Sequence, residues 1–158
     1  MHPDELDLID RRILAELQRN GRASNVELAE RVHLSPAQCH RRQRRLEEAG
    51  LIRDYVARLD AGKLGYSVIA FVSVTIANGP YKQPQKFQEA IAGIDEIQEC
   101  HTVTGEADYL LKVVAPDLKA FSSFLMERLT KLFDITNTTS MVSLEELKQT
   151  SALPIRER

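Results

Sequence analysis

The 158-residue chain has no tryptophan, only two cysteines, and no apolar run long enough to cross a bilayer. Its longest such stretch, Val68 to Ile76, is broken by Ser73 and Thr75, so a membrane span is not expected. Cys39 and Cys100, without CxxC spacing, build no disulfide scaffold and fit reduced thiols. Met1-His2-Pro3-Asp4-Glu5 lacks a basic segment followed by an apolar one, so export is not expected and the cytoplasm is the anticipated compartment. There is no GxSxG, P-loop or HExxH motif and no paired-carboxylate setting, and no catalytic residue is assigned. The hydrophobic fraction of 43% is that of an ordinary globular protein, and the length suits one domain or two small ones.

Two local absences are more informative. The first 58 residues contain no lysine: their 11 cations are all arginine, against 10 acids, a net of +1. The remainder has seven Lys and three Arg against 13 acids, a net of −3. Residues 33–46 carry four arginines (41, 42, 44, 45) and no acid. The planar guanidinium suits phosphate and guanine recognition better than an ammonium does. A charge run by itself is equally well a solvated helix face, so its surroundings must decide.

Leu6, Ile9, Ile13 and Leu17 recur at helical spacing and predict a first helix, with Asp7 and Asp10 in its first turn and a stop at Asn20-Gly21. Ser24-Asn25-Val26-Glu27 reads as a capping box before a short stripe of Leu28, Ala29 and Val32. Ser35-Pro36 with Gln38 opens a third helix, expected to reach Glu48 and close at Gly50. This is a helix-turn-helix pattern. Cys39, Leu46 and Ala49 face inward on the third helix, while Gln38, Arg41 and Arg45 form the opposite stripe, flanked by Ala37, His40 and Arg44. The N-terminal half of such a helix enters the major groove. Ser35 caps an N-terminus that favours a phosphate; Gln38, His40 and Arg41 are then base readers, and Arg44 and Arg45 phosphate contacts. Residues 51–59 read as a strand, giving a winged-helix-like domain over 1–59, and 60–65 as a hinge.

Over 66–158 the order is strand, helix, strand, strand, helix, strand. Residues 66–76 alternate cleanly, 84–94 read as a helix, and 96–104 and 108–115 flank a Gly105-Glu106-Ala107 turn. Pro116-Asp117 starts a helix with a Leu118, Phe121, Leu125, Leu129, Leu132 stripe, and 135–144 is the last strand. The fold class is therefore α+β, the second domain being ferredoxin-like βαββαβ. Ile69, Phe71 and Tyr109 are expected on its helix-free face, which sheet-to-sheet dimerisation would cover. Cys100 and His101, adjacent on a strand, point to opposite faces and offer no metal site. Gly105-x-x-Asp108 by itself is a hairpin turn as readily as a binding loop.

Leu6-Asp7-x-x-Asp10-Arg11-x-Ile13-Leu14, Gly21-Arg22-x-Ser24-Asn25-x-Glu27-Leu28-Ala29, Leu34-Ser35-Pro36, Arg44-Arg45-Leu46-Glu47-x-x-Gly50 and Val103-Thr104-Gly105-x-x-Asp108-Tyr109-Leu110-Leu111 together resemble the Lrp/AsnC class of transcriptional regulators. Ile97-Gln98-Glu99-Cys100-His101 and Glu145-Glu146-x-Lys148-Gln149 are similar to its leucine-responsive branch. The resemblance spans the whole chain. It implies a double-stranded DNA partner and an amino-acid-sensing RAM domain over 66–158. It implies dimers that assemble further, commonly into octamers, and an amino-acid effector such as leucine or methionine held between dimers, with no other cofactor. Gly105, Asp108 and Tyr109 match the family's effector turn, and Thr136, Thr138 and Ser140 fall on the last strand beside it. Asp108 would pair with the α-ammonium and turn amides with the α-carboxylate. Midway along the third helix the family has an aliphatic residue, and this chain has Gln43. Two rival readings are a ferredoxin-like enzyme, which would need a titratable constellation in one pocket, and a protein-interaction module, which would not need an acid-free arginine face.

Overall fold

The computed structural model describes residues 6–77, 84–132 and 134–155, so Asn78-Gly79-Pro80, where the sequence ends the first strand of the second domain, and Phe133 lie outside it. The chain forms two compact units: Met1–Arg58 with Lys148–Arg158, and Leu59–Leu147. Residues 148–158 thus group with the helical head. The Gln18 side chain donates from Nε2 to the Leu153 carbonyl at 3.0 Å and accepts the Leu153 N–H at 2.6 Å, the two-way pairing of a sheet made by one amide.

The head contains α1 (Leu8–Arg19), α2 (Asn25–Val32) and α3 (Pro36–Glu48). Each start is a reciprocal capping box: Asp7 with Asp10, Ser24 with Glu27, and Ser35 with Gln38. These satisfy N–H groups that have no partner within the helix. Asn20 caps α1, and Gly50, at φ +71°, takes the left-handed conformation expected after α3. His33 ends α2 at φ 57°, a conformation that usually falls to glycine. Ile13, Leu17, Leu28, Ala29, Val32, Cys39 and Leu46 form the core, with Leu6, Ile9 and Ile52 packed against it. Residues 53–59 form no strand and are exposed, contrary to expectation. A lone extended segment has no neighbour with which to pair its backbone, so periodicity alone does not make it a strand.

The second unit contains β1 (Val68–Ile76), α4 (Pro84–Ala92), β2 (Ile97–Thr102), β3 (Tyr109–Ala115), α5 (Leu118–Ser123) and β4 (Ile135–Val142). The sheet order is β2-β3-β1-β4, with every adjacent pair antiparallel, as the βαββαβ reading requires. Val68, Ala70, Val72, Val74 and Ile76 pack with Phe87, Ile94, Leu111, Val113, Phe121, Phe124 and Leu129. Ile69, Phe71, Leu110 and Val114 occupy the other face of the sheet, where β1 and β3 pair Ile69 with Val114.

Two expectations need correction here. Tyr109 belongs to the helix-covered face: it is buried and stacks on Phe87, with ring centroids 4.1 Å apart. It pairs with Val74, and its neighbours Leu110 and Lys112 face the other way. The last helix is also not uniform. Asp117 caps α5, which passes into a π-helical stretch (Phe124–Leu129) and a final α-turn (Thr130–Leu132). The wider turn shifts the buried stripe onto Phe121, Phe124 and Leu129, leaving Leu118 exposed and Leu125 half-buried.

Candidate nucleic-acid interface and effector turn

The arginines of α3 divide into two sets. Asp10 is completely buried, and both its oxygens are occupied: Arg42 Nη1 donates to Oδ1 at 2.8 Å, and Arg45 Nη2 donates to Oδ2. Arg42 Nη1 also reaches Asp7 Oδ2 at 2.6 Å. Burial pulls the Asp7 carboxyl upward, yet the Asp10 N–H and the Arg42 guanidinium hold it below its ordinary value. The cluster bolts α3 to the first turn of α1. It gives Arg45 a structural partner that the wheel projection missed, while leaving about half of that side chain exposed. Arg42, assigned no role from the sequence, is the deeper member of the pair. The acid-free stretch 33–46 had its acids elsewhere, on α1.

The outward side is populated differently. Arg41 is exposed and forms no ion pair among the described residues. Arg44 pairs, among the described residues, only with Glu48 one turn along, at 3.0 Å, with both groups well exposed. His40 is exposed beside Asn25 of α2, Asn25 Nδ2 lying 3.2 Å from His40 Nδ1. Gln38 Oε1 accepts from the Ser35 hydroxyl at 3.1 Å, so its amide is partly spent on the cap. Gln43 is half-buried. Its Nε2 donates to the Tyr55 hydroxyl at 2.9 Å and to Glu47 Oε1 at 3.1 Å, and Tyr55 donates to the same carboxylate oxygen. Burial, then Glu47, raises the Tyr55 hydroxyl above its ordinary pKa. Gln43 thus secures the segment after α3. Cys39 is a buried core thiol, its pKa raised by burial.

In the other unit Gly105 has φ +117°, a conformation that excludes most side chains, and Val103 N–H closes the hairpin on the Asp108 carbonyl at 3.1 Å. Asp108 donates its N–H to the Val74 carbonyl at 2.9 Å, and its Oδ2 accepts the Ile76 N–H at 2.8 Å. That amide sits where the β1–β4 register shifts between Thr75 and Ile76. One carboxylate oxygen is thereby fixed, and Oδ1 takes no hydrogen bond among the described residues. Thr136 lies at the same bulge and donates to the Thr75 carbonyl at 3.1 Å. Thr138 and Ser140 stand opposite Val74 and Val72. Asp108 and Thr136 are thus tied to consecutive residues of β1, whereas the Tyr109 ring lies in the core. Cys100 and His101 do point apart: Cys100 packs on the core, and exposed His101 lies by Glu99, which Lys112 holds at 3.1 Å.

Residues 6–53 match the winged helix-turn-helix DNA-binding family, and residues 69–153 match the Lrp/AsnC ligand binding domain. The chain is 46% identical over 154 residues to the leucine-responsive regulatory proteins of Klebsiella pneumoniae and Escherichia coli, covering 98% of this chain and 94% of each relative. It belongs to the Lrp/AsnC family. A transcriptional regulator of Neisseria meningitidis, solved as its complex with L-Met, superposes on this Lrp/AsnC protein with a TM-score of 0.89 at 39% identity, over 94% of this chain and 96% of the other. An AsnC-family regulator of Agrobacterium tumefaciens superposes at 0.87 with 36% identity, over 94% and 97%. The protein is accordingly a DNA-binding transcriptional regulator with a ligand-binding domain. No helix among the described residues is long and apolar enough to cross a membrane.

Proposed function

We propose that this regulator reads a specific duplex sequence with α3 and that a small amino acid tunes its activity or assembly. What carries the DNA assignment is the division of α3: one side is locked to Asp10, while Arg41 stands exposed without an acid on the N-terminal half. In this reading Gln38, His40 and Arg41 contact base edges, and Arg44, the exposed part of Arg45 and the Ser35-capped helix start contact phosphates. Replacing Arg41 with alanine should cost roughly 1–3 kcal/mol at the preferred site and relax base preference there. An Arg41/Arg44 double alanine variant that keeps wild-type affinity in a fluorescence-anisotropy titration would sink the assignment.

The effector is leucine, methionine or a similar amino acid, in keeping with the L-Met bound to the Neisseria regulator. It is taken to bind between dimers around Gly105, Asp108, Thr136, Thr138 and Ser140. The free Asp108 oxygen would meet the ammonium, and Tyr109 would support the turn from the core. Asp108→Asn retains an oxygen for Ile76 while removing the charge, so heat on calorimetric titration with L-leucine or L-methionine should vanish. DNA binding should persist. The partly apolar sheet face of Ile69, Phe71, Leu110 and Val114 is the natural dimer surface, with dimers assembling to a higher oligomer, an octamer by family analogy. The role is cytoplasmic and regulatory rather than catalytic.

A further inference from the structure

We infer that Asn25 decides which hydrogen-bonding edge His40 offers to DNA, so that this pair, spanning the turn between α2 and α3, is a specificity determinant. The inference rests on the DNA-binding reading above and goes beyond it. Asn25 is the first residue of α2 and His40 lies in the N-terminal half of α3; both are exposed. The amide nitrogen of Asn25 approaches His40 Nδ1 at 3.2 Å. An amide nitrogen only donates, so Nδ1 must accept. In its neutral form the imidazole then carries its proton on Nε2.

A histidine without such a partner can present either a donor or an acceptor. His40 is restricted to one: Nε2–H, on the side of the ring away from Asn25. His40 Nε2 takes part in no hydrogen bond among the described residues. The side chain one turn before it is Ala37, and Arg44, one turn after, already pairs with Glu48. A single donor in the major groove can bond guanine O6 or N7, adenine N7 or thymine O4, but finds only another donor at cytosine N4. The pair therefore rejects cytosine at the contacted base, and Asn25 imposes that rejection without touching the base. It is a positioning residue acting through His40.

The test uses the full-length protein. Nitrogen-15 correlation spectra of the histidine rings at a pH where they are neutral should show His40 as a single Nε2–H tautomer, and Asn25→Ala should convert it to an averaged signal. A Nδ1–H tautomer or a mixture in the wild type overturns the inference whatever the variants do. Selection from randomised-core duplexes should then give one position per half-site at which the wild type excludes cytosine by about tenfold. His40→Ala should abolish that exclusion, and Asn25→Ala should weaken it while thermal stability and affinity for unrelated duplex stay unchanged. A wild type that enriches no sequence defeats the DNA-binding reading itself. A wild type that selects a site which His40→Ala selects with equal discrimination defeats this inference alone.

Discussion

The two units of this regulator cohere by different means. Among the described residues, the sheet domain buries fourteen apolar side chains in one cluster, which contains no ionised group. The head buries half as many, and beneath them a carboxylate gripped by two guanidinium groups. A three-helix domain of this size has little apolar area to bury, and its helices could slide on so small a core. A buried ion pair adds little net stability but fixes register, since only one alignment of α3 on α1 satisfies Asp10. The difference teaches where stability and orientation come from. The ligand-binding unit is made firm by area, and the DNA-binding unit is aligned by charge.

Substitutions that strip each device should separate the two. Phe87→Ala empties the stack against Tyr109 and should cost the sheet domain about 4 kcal/mol, read from its own denaturant transition. Asp10→Ala leaves Arg42 and Arg45 without their buried partner and should cost the head about 3 kcal/mol. It should also lower DNA affinity beyond what stability explains; a head that remains aligned would contradict the registering role. Ser24→Ala removes the α2 cap, and about 1 kcal/mol of loss is expected from thermal melting of the head.

Smaller still, His33→Gly relieves the left-handed backbone at the end of α2 and should raise stability by a few tenths of a kcal/mol. Acid should divide the units as well. Asp7, Glu16 and Glu27 of the head are all held below their ordinary values; Asp7 keeps this shift against burial through the Asp10 N–H and Arg42, while Arg31 acts on Glu16 and the Ser24 N–H on Glu27. A carboxyl lowered on folding stabilises the fold above its unfolded pKa, and that contribution is lost as protonation sets in. The head should therefore soften first as the pH falls below about 4, by circular dichroism at helical wavelengths. In the sheet domain only Glu99, among the described residues, is lowered in this way, by Lys112 foremost.

Much of this architecture was legible in the sequence because its signals are local. Ser24-x-x-Glu27 and Ser35-Pro36-x-Gln38 state where helices begin, and alternation over 68–76 states which residues of β1 face inward. Signals that depend on a distant partner were not legible. The arginine run looked unopposed because its acids lie some 30 positions earlier, on α1. Tyr109 looked like a surface aromatic because nothing local says that Phe87 covers it. The widened turn at Phe124–Leu129 leaves a heptad-like pattern in place while changing which residues it buries. The candidate effector turn was found by its Gly105 and Asp108, but the anchoring of Asp108 to the Ile76 amide is a property of the bulge. No spacing rule announces it.

The clasp between Gln18 and Leu153 has a consequence for how the protein is made. It joins positions 135 apart, although the three helices of the head are finished within the first third of the chain. During synthesis the head can fold early, but this bond must wait until Leu153 has emerged, after the whole sheet domain. Closing so long a loop is slow rather than costly, since the entropy of closure grows only with the logarithm of its length. The first domain to form is thus the last to be completed.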